Sequence, residues 1–201
     1  MLDPEMKRTF DILVAAAALF VLSPVLLLIA LAVLAGSGRP VLFRQKRVGR
    51  NGFDFTIYKF RTMRVLRGTE AGSFDAGRTT RVTPVGRLLR RTKLDELPQL
   101  WNVLLGDMAL VGPRPEIRRW VDAYPDRWAR VLTVRPGITD PASIVYRNEE
   151  SCLARATDPE AAYRREILPH KLALYERYVC NYTFLGDILI LFKTVKAIAG
   201  R

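Results

Sequence analysis

"LFVLSPVLLLIALAVLA", Leu19–Ala35, lies inside an apolar run whose reading decides the fold. From Ile12 to Ala35, 24 residues, only Ser23 carries a polar side chain. As straight helix the run measures about 36 Å at 1.5 Å per residue, against a hydrocarbon core of about 30 Å. It is too long for the apolar centre of a signal peptide. Pro24 complicates a plain span. It has no N–H to give the carbonyl of Phe20, and its ring crowds that carbonyl. In lipid an orphaned carbonyl needs another partner, and the Ser23 hydroxyl stands beside it. Basic residues flank the run on both sides, with Lys7 and Arg8 before it and Arg39, Arg44, Lys46, Arg47 and Arg50 after it. A spanning helix normally leaves one flank poor in Lys and Arg. A break at Ser23–Pro24 would return both flanks to one side. The residues alone leave a spanning anchor and a re-entrant helix both open.

Outside this run the chain is strongly basic. Its 201 residues carry a formal charge of +12, which calls for an anionic partner: a phosphorylated substrate, anionic lipid or nucleic acid. Nucleic acid is not expected, because no reader motif is present and the aromatics do not alternate with the basic residues. His170 is the one histidine, and Cys152 and Cys180 lie far apart, so a zinc site built on His and Cys or a histidine triad is not expected. Acid–base work falls to carboxylates, Lys, Arg or Tyr. The sequence does not set the oligomeric state; a homodimer is one arrangement open to it.

The basic excess is concentrated between Arg39 and Lys93, where 15 Lys and Arg face only Asp54, Glu70 and Asp75. Within it, "VLFRQKRV" and "FDFTIYKF" read as two strands joined by "GRNG". That hairpin is expected to gather Arg44, Lys46, Arg47, Lys59 and Arg61, either as a solvated basic face or as a cradle for a diphosphate. Arg64 to Arg81 reads as a mobile loop. Thr83 and Pro84 then start a helix as N-cap and first residue. Near the C-terminus, "DPEAAYRREILPHKLALYERYV" reads as two helices meeting near Pro169, the first capped by Asp158. In the last helix Phe184, Ile188, Leu191, Val195 and Ile198 form an apolar stripe, with Lys193 and Lys196 off it. The stripe suits a core helix or one lying in a membrane interface.

The chemical centre is "RTKLDELPQLWNVLLGDMALVGPRPE", Arg91–Glu116. Leu97, Leu100, Trp101 and Leu104 fall on one helical face, with Pro98 in the first turn. Asp95 and Glu96 then stand at a helix N-terminus, where unpaired N–H groups favour ionised carboxylate, as a nucleophile or a magnesium ligand requires. The bland reading is a capping box from Thr92 to Asp95. Arg114 between two prolines, and Arg135 before Pro136, hold guanidinium groups on stiff backbone suited to phosphate.

At these residues the chain resembles the bacterial sugar transferases, the monotopic phosphoglycosyl transferases. The resemblance is carried by "KRTFDI", the "SP" inside the apolar run, "YKFRTM", "LDELPQLWNVLLGDMALVGPRPE" and "VRPGIT", in that order along nearly the whole chain. It implies an α+β fold, mainly α-helical. A re-entrant membrane helix over 1–38, broken at Ser23 and Pro24, precedes a cytoplasmic catalytic domain over 39–201 with a small hairpin and interfacial amphipathic helices. It implies that Asp95 is a nucleophile working with Glu96 and Mg2+, with Asp95 as metal ligand. The nucleophile takes a sugar phosphate from a UDP-sugar, releases UMP, and passes the group to a polyprenol phosphate such as undecaprenyl phosphate. That is the first membrane step of polysaccharide assembly, at the cytoplasmic face of the bacterial inner membrane. Lys59, Arg61, Arg91, Arg114, Arg135 and Arg147 are the candidate phosphate ligands. The chain departs from the family pattern after Arg135, where it reads "RPGITDPASIVYRNEE", and "KLALYERYV" lacks the acid expected just before the final helix. The competing reading is a non-catalytic single-pass protein whose basic domain binds anionic lipid or nucleic acid.

Overall fold

The computed structural model describes residues 4–64 and 81–200. The chain begins with α1, Pro4–Ser37, a single helix of 34 residues that runs through Pro24 without interruption. The Ser23–Pro24 step is therefore not a gap in the helix. Its mark is one exchanged hydrogen bond: Ser23 Oγ donates to the Phe20 carbonyl at 2.8 Å, the acceptor that proline deprives of its usual donor.

Both halves of α1 rest on the same body. Phe10, Ala15, Ala18 and Leu19 pack with Leu100, Val103 and Met108. Leu26, Ile29, Ala30 and Val33 pack with Leu42, Phe60, Val85 and Leu89. Between and around these contacts Phe20, Val21, Leu27, Leu28 and Leu31 are exposed, far more contiguous apolar surface than water tolerates. By length and composition α1 is able to cross a membrane.

The hairpin forms as expected. β1, Leu42–Val48, pairs antiparallel with β2, Asp54–Phe60, through a turn in which Asn51 and Gly52 adopt positive φ. Phe43 lies opposite Lys59 and Arg47 opposite Phe55. Side chains alternate between faces, so Lys59 and Arg47 share one face while Arg44 and Lys46 stand on the other. The hairpin thus does not gather its basic residues. Arg44 instead lies over the Tyr58 ring, 5.8 Å from its centre.

The loop expected between Arg64 and Arg81 falls, apart from its ends, outside the described residues. Those ends are paired, the Arg64 N–H donating to the Arg81 carbonyl at 3.0 Å. α2, Pro84–Thr92, follows, and Thr83 caps it by accepting from Gly86 N at 3.0 Å. α3, Gln99–Leu105, leads into β3, Ala109–Val111. Then come α4, Arg118–Asp122, and α5, Pro125–Val131, before β4, Gly137–Thr139, which pairs parallel with β3. A Cβ on Gly137 would lie 2.1 Å from Gly112 N. Only glycine lets these backbones meet, and the meeting fixes the "GPRP" segment.

The largest core joins Trp120, Trp128 and Val131 to Leu168, Leu172 and Tyr175. Each of its tryptophans is worth about 3–5 kcal/mol against alanine. Short helices α6, Pro141–Val145, and α7, Glu149–Leu153, precede α8, Pro159–Ala162. Asp158 caps α8 at Glu160 N and Ala161 N. α8 does not end near Pro169. It widens into a π-type turn, Tyr163–Ile167, and continues as α9, Leu168–Asn181. The wider turn absorbs the lost proline donor, so one helix replaces the expected two.

The last helix, α10, Phe184–Ala199, packs by Asp187, Ile190, Leu191 and Thr194, while Leu185, Ile188, Leu189, Phe192 and Val195 are exposed. The expected apolar stripe is divided between these faces. The result suits a helix with protein on one side and an apolar phase on the other.

Candidate active site

α2 ends at Lys93, which adopts the left-handed conformation (φ 59°), and a 3-10 turn follows at Leu94–Glu96. Asp95 and Glu96 thus sit in a turn of their own just before α3, not inside its first turn. The capping box is absent: Thr92 donates backward, to the Leu88 carbonyl at 2.9 Å. Both carboxylates are buried.

Glu96 is fully engaged. Lys59 Nζ donates to its Oε1 at 2.8 Å, and Arg114 makes a two-pronged contact, Nη2 to Oε1 at 2.5 Å and Nη1 to Oε2 at 3.1 Å. Burial works against the charge on Glu96, but Arg114 and Lys59 outweigh it and hold the carboxyl well below its ordinary range. Glu96 in turn raises Arg114 well above the usual arginine value. Burial pushes the Lys59 ammonium down to about 8, with Glu96 opposing.

Asp95 differs from its neighbour. Its Oδ1 is buried and makes no hydrogen bond among the described residues. Burial, then the ionised Glu96, push its carboxyl up, while Lys59, Lys93 and Arg90 pull it down. Its position in the 3-10 turn does not depress its carboxyl as a helix N-terminus would. The net direction is upward, because the adjacent negative charge adds to the cost of burial.

Two contacts to the backbone position the cations. The Gly112–Gly137 contact holds Pro113, whose carbonyl accepts from Gly137 N at 3.0 Å, and so fixes Arg114. Asn102 of α3 clamps the outer edge of β2, accepting from Tyr58 N at 3.1 Å and donating to the Thr56 carbonyl at 2.7 Å. That clamp sets Lys59, the next residue, against Glu96. Behind Arg114, the buried Glu116 accepts from Arg47 Nη1 at 3.1 Å and from the Tyr163 hydroxyl.

The other candidates stand elsewhere. Arg61 directs its guanidinium to the end of α1, donating to the carbonyls of Ser37, Gly38 and Arg39. Arg135 lies at the far end of α3 from the dyad, its Nε donating to the Gly106 carbonyl at 3.0 Å. Arg91 and Arg147 are exposed, on α2 and between α6 and α7.

Sequence reading missed Asn102 and Gln99, although a polar residue within the apolar "LPQLWNVLL" is itself a signal that a partner is needed. Gln99 is fully buried, and both its amide atoms lack partners among the described residues. It also missed Asp187, the acid sought before the last helix. Asp187 lies within the first turn of α10 and pairs with Lys7 and the Tyr178 hydroxyl.

The fold and the dyad define a class: an α+β protein that hangs a buried carboxylate–cation centre from a long apolar helix. The model of the bacterial sugar transferase family matches residues 2–201, and the chain belongs to that family. It is 38% identical to the UDP-N-acetylgalactosamine-undecaprenyl-phosphate N-acetylgalactosaminephosphotransferase of Aeromonas hydrophila, with 96% of this chain and 43% of that protein aligned. It is also 38% identical to the UDP-glucose:undecaprenyl-phosphate glucose-1-phosphate transferase of Escherichia coli, over 94% of this chain and 39% of that protein. With the exopolysaccharide production protein ExoY of Sinorhizobium fredii it shares 36% identity over 96% of this chain and 84% of that protein. The chain thus spans less than half of the first two relatives and most of the third.

Proposed function

We propose that the chain transfers a sugar 1-phosphate from a UDP-sugar to a polyprenol phosphate, releasing UMP. The reading rests on one observation: Asp95 offers a buried oxygen with no hydrogen-bond partner among the described residues, beside a glutamate whose charge is met by Lys59 and Arg114. In the first step an Asp95 carboxylate oxygen attacks the β-phosphorus. The bond from that phosphorus to the bridging oxygen breaks, and UMP leaves with the electron pair. Asp95 then carries the sugar phosphate as an acyl phosphate. In the second step an oxygen of the polyprenol phosphate attacks the same phosphorus and restores the Asp95 carboxylate. Glu96 holds Lys59 and Arg114 beside the phosphoryl group, where their charge offsets the charge gathering on its oxygens.

No group of three or more acidic, Cys or His residues suited to a metal occurs among the described residues. Mg2+ is commonly bound by one or two carboxylates together with substrate phosphates. Asp95, with its unpartnered oxygen, is the residue that would hold it. Bound there, the ion supplies charge neutralisation on the phosphates.

Topology enters the same proposal. Both halves of α1 pack on the domain that carries the dyad, which supports a helix that enters and leaves the membrane on one side, over 1–38, with 39–201 at the cytoplasmic face. A UDP-sugar is cytoplasmic and a lipid phosphate lies at that surface. The test is UMP release from a panel of UDP-sugars with polyprenol phosphate and Mg2+. Wild-type protein is expected to release UMP and Asp95→Asn is not; equal release from both removes Asp95 as the nucleophile.

A further inference from the structure

At the opposite end of α3 from the dyad, Lys7, Arg8, Arg50 and Arg135 line a cleft of about 110 Å3. That is several times the space one water requires and ample for a tetrahedral oxyanion. The four cations come from distant parts of the chain: the first turns of α1, the hairpin turn, and the approach to β4. They are not equally engaged. Arg8 uses both terminal nitrogens on α3, donating to the carbonyls of Val103 at 2.7 Å and Leu104 at 3.2 Å. Lys7 is paired with Asp187. Arg50 and Arg135 are each anchored through Nε alone, to the Thr133 carbonyl at 3.1 Å and the Gly106 carbonyl at 3.0 Å. Among the described residues their Nη groups make no hydrogen bond.

The charge in the cleft is unbalanced. Asp11 lines it, its Oδ1 accepting from Leu110 N at 3.4 Å. Setting Asp11 and Asp187 against the four cations leaves a formal +2. Burial, and then repulsion from Arg8 and Arg50, lower Arg135 from the usual arginine value, so like charges confront one another here.

We propose that this cleft is a second anion site that binds a phosphate group through the Nη atoms of Arg50 and Arg135. Fixing a guanidinium by its Nε leaves both terminal nitrogens in the fork that matches two phosphate oxygens. The phosphate has two possible sources, an anionic lipid headgroup or a free phosphate compound. The headgroup is within reach because the exposed apolar surface of α1 begins a few residues beyond Lys7 and Arg8. The site is independent of the transferase reading, and its test involves no turnover.

The test is calorimetric titration of the detergent-solubilised full chain with inorganic phosphate. Arg50→Gln and Arg135→Gln are each expected to weaken one binding event by about tenfold or more, and Arg114→Gln, at the dyad, to retain it. Arg50 is exposed and does not support the core, so Arg50→Gln keeps the fold; thermal unfolding checks both variants. Phosphate binding at wild-type strength in both Arg50→Gln and Arg135→Gln, or no binding by the wild type at millimolar phosphate, overturns the site. Vesicles then separate the sources. Displacement of phosphate by phosphatidylglycerol vesicles, but not by phosphatidylcholine vesicles, upholds the site with a lipid headgroup as its ligand. Retention of phosphate with both vesicles upholds it for a free anion.

Discussion

Ser23 Oγ donates to the Phe20 carbonyl at 2.8 Å, one turn back along α1. The backbone N–H that would normally serve this carbonyl belongs to position 24, and proline has none. The two residues of the Ser-Pro step therefore act together: one removes a donor and the other supplies it.

That coupling is measurable as a double-mutant cycle. Ser23→Ala is expected to cost about 1–2 kcal/mol in thermal unfolding in nanodiscs, because a carbonyl without a partner in lipid is expensive. In a Pro24→Ala background the same change is expected to cost little, since the backbone supplies the donor again. Equal costs in both backgrounds would falsify the compensation.

Lys59 is expected to govern the alkaline limb of the proposed transfer. Its ammonium titrates at about 8, so transfer should decline as the pH rises through that value and Glu96 loses one of its two cations. Lys59→Arg keeps the charge and is expected to move the limb upward; an unmoved limb assigns it to another group. Stability follows a different sign. Between about 8 in the folded chain and about 10.4 unfolded, the unfolded chain binds a proton that the folded chain does not. Lys59 therefore adds to stability as the pH rises across this window. The lowered carboxyl of Glu96 contributes stability that is complete above its ordinary value near 4.3 and is lost as the pH falls toward its depressed value. Urea midpoints against pH should show a larger acid loss in the wild type than in Glu96→Gln, the remainder coming from other lowered carboxyls such as Glu116 and Glu176.

Asn102→Ala should strand the Tyr58 N–H and the Thr56 carbonyl at the edge of β2. Two partly buried groups without partners cost about 2–4 kcal/mol together. Lys59 is also expected to move off Glu96, so kcat should fall at a temperature where the variant is still folded. A full-activity Asn102→Ala would show that the clamp does not position Lys59.

Arg61 separates two roles cleanly. As the clasp on the last carbonyls of α1, its change to Gln should lower stability by about 2–4 kcal/mol with little change in KM for the UDP-sugar. A tenfold rise in KM at unchanged stability would return Arg61 to the phosphate ligands.

What the sequence made legible was local. The Thr83 cap, the hairpin and the succession of turn, dyad and helix around Pro98 depend on residues within a few positions of each other. The division of Lys59 and Arg47 from Arg44 and Lys46 was legible in principle from strand alternation. The remainder depends on pairings far apart in the chain. Lys59 meets Glu96 across 37 positions and Lys7 meets Asp187 across 180. Arginines in particular were not legible, because on paper a guanidinium that clasps helix carbonyls, as Arg61 does, looks the same as one that awaits phosphate.

The bond between Lys7 and Asp187 also sets a clock on assembly. Lys7, in the first turns of α1, is made 180 positions before its partner in α10. At about 5–20 residues per second, roughly 10–40 s pass between the two. Through that interval α1 can pack on the strands and helices that follow it, but its first turns lack this partner. Maturation of this protein should therefore register when α10 arrives and its Asp187 pairs with Lys7.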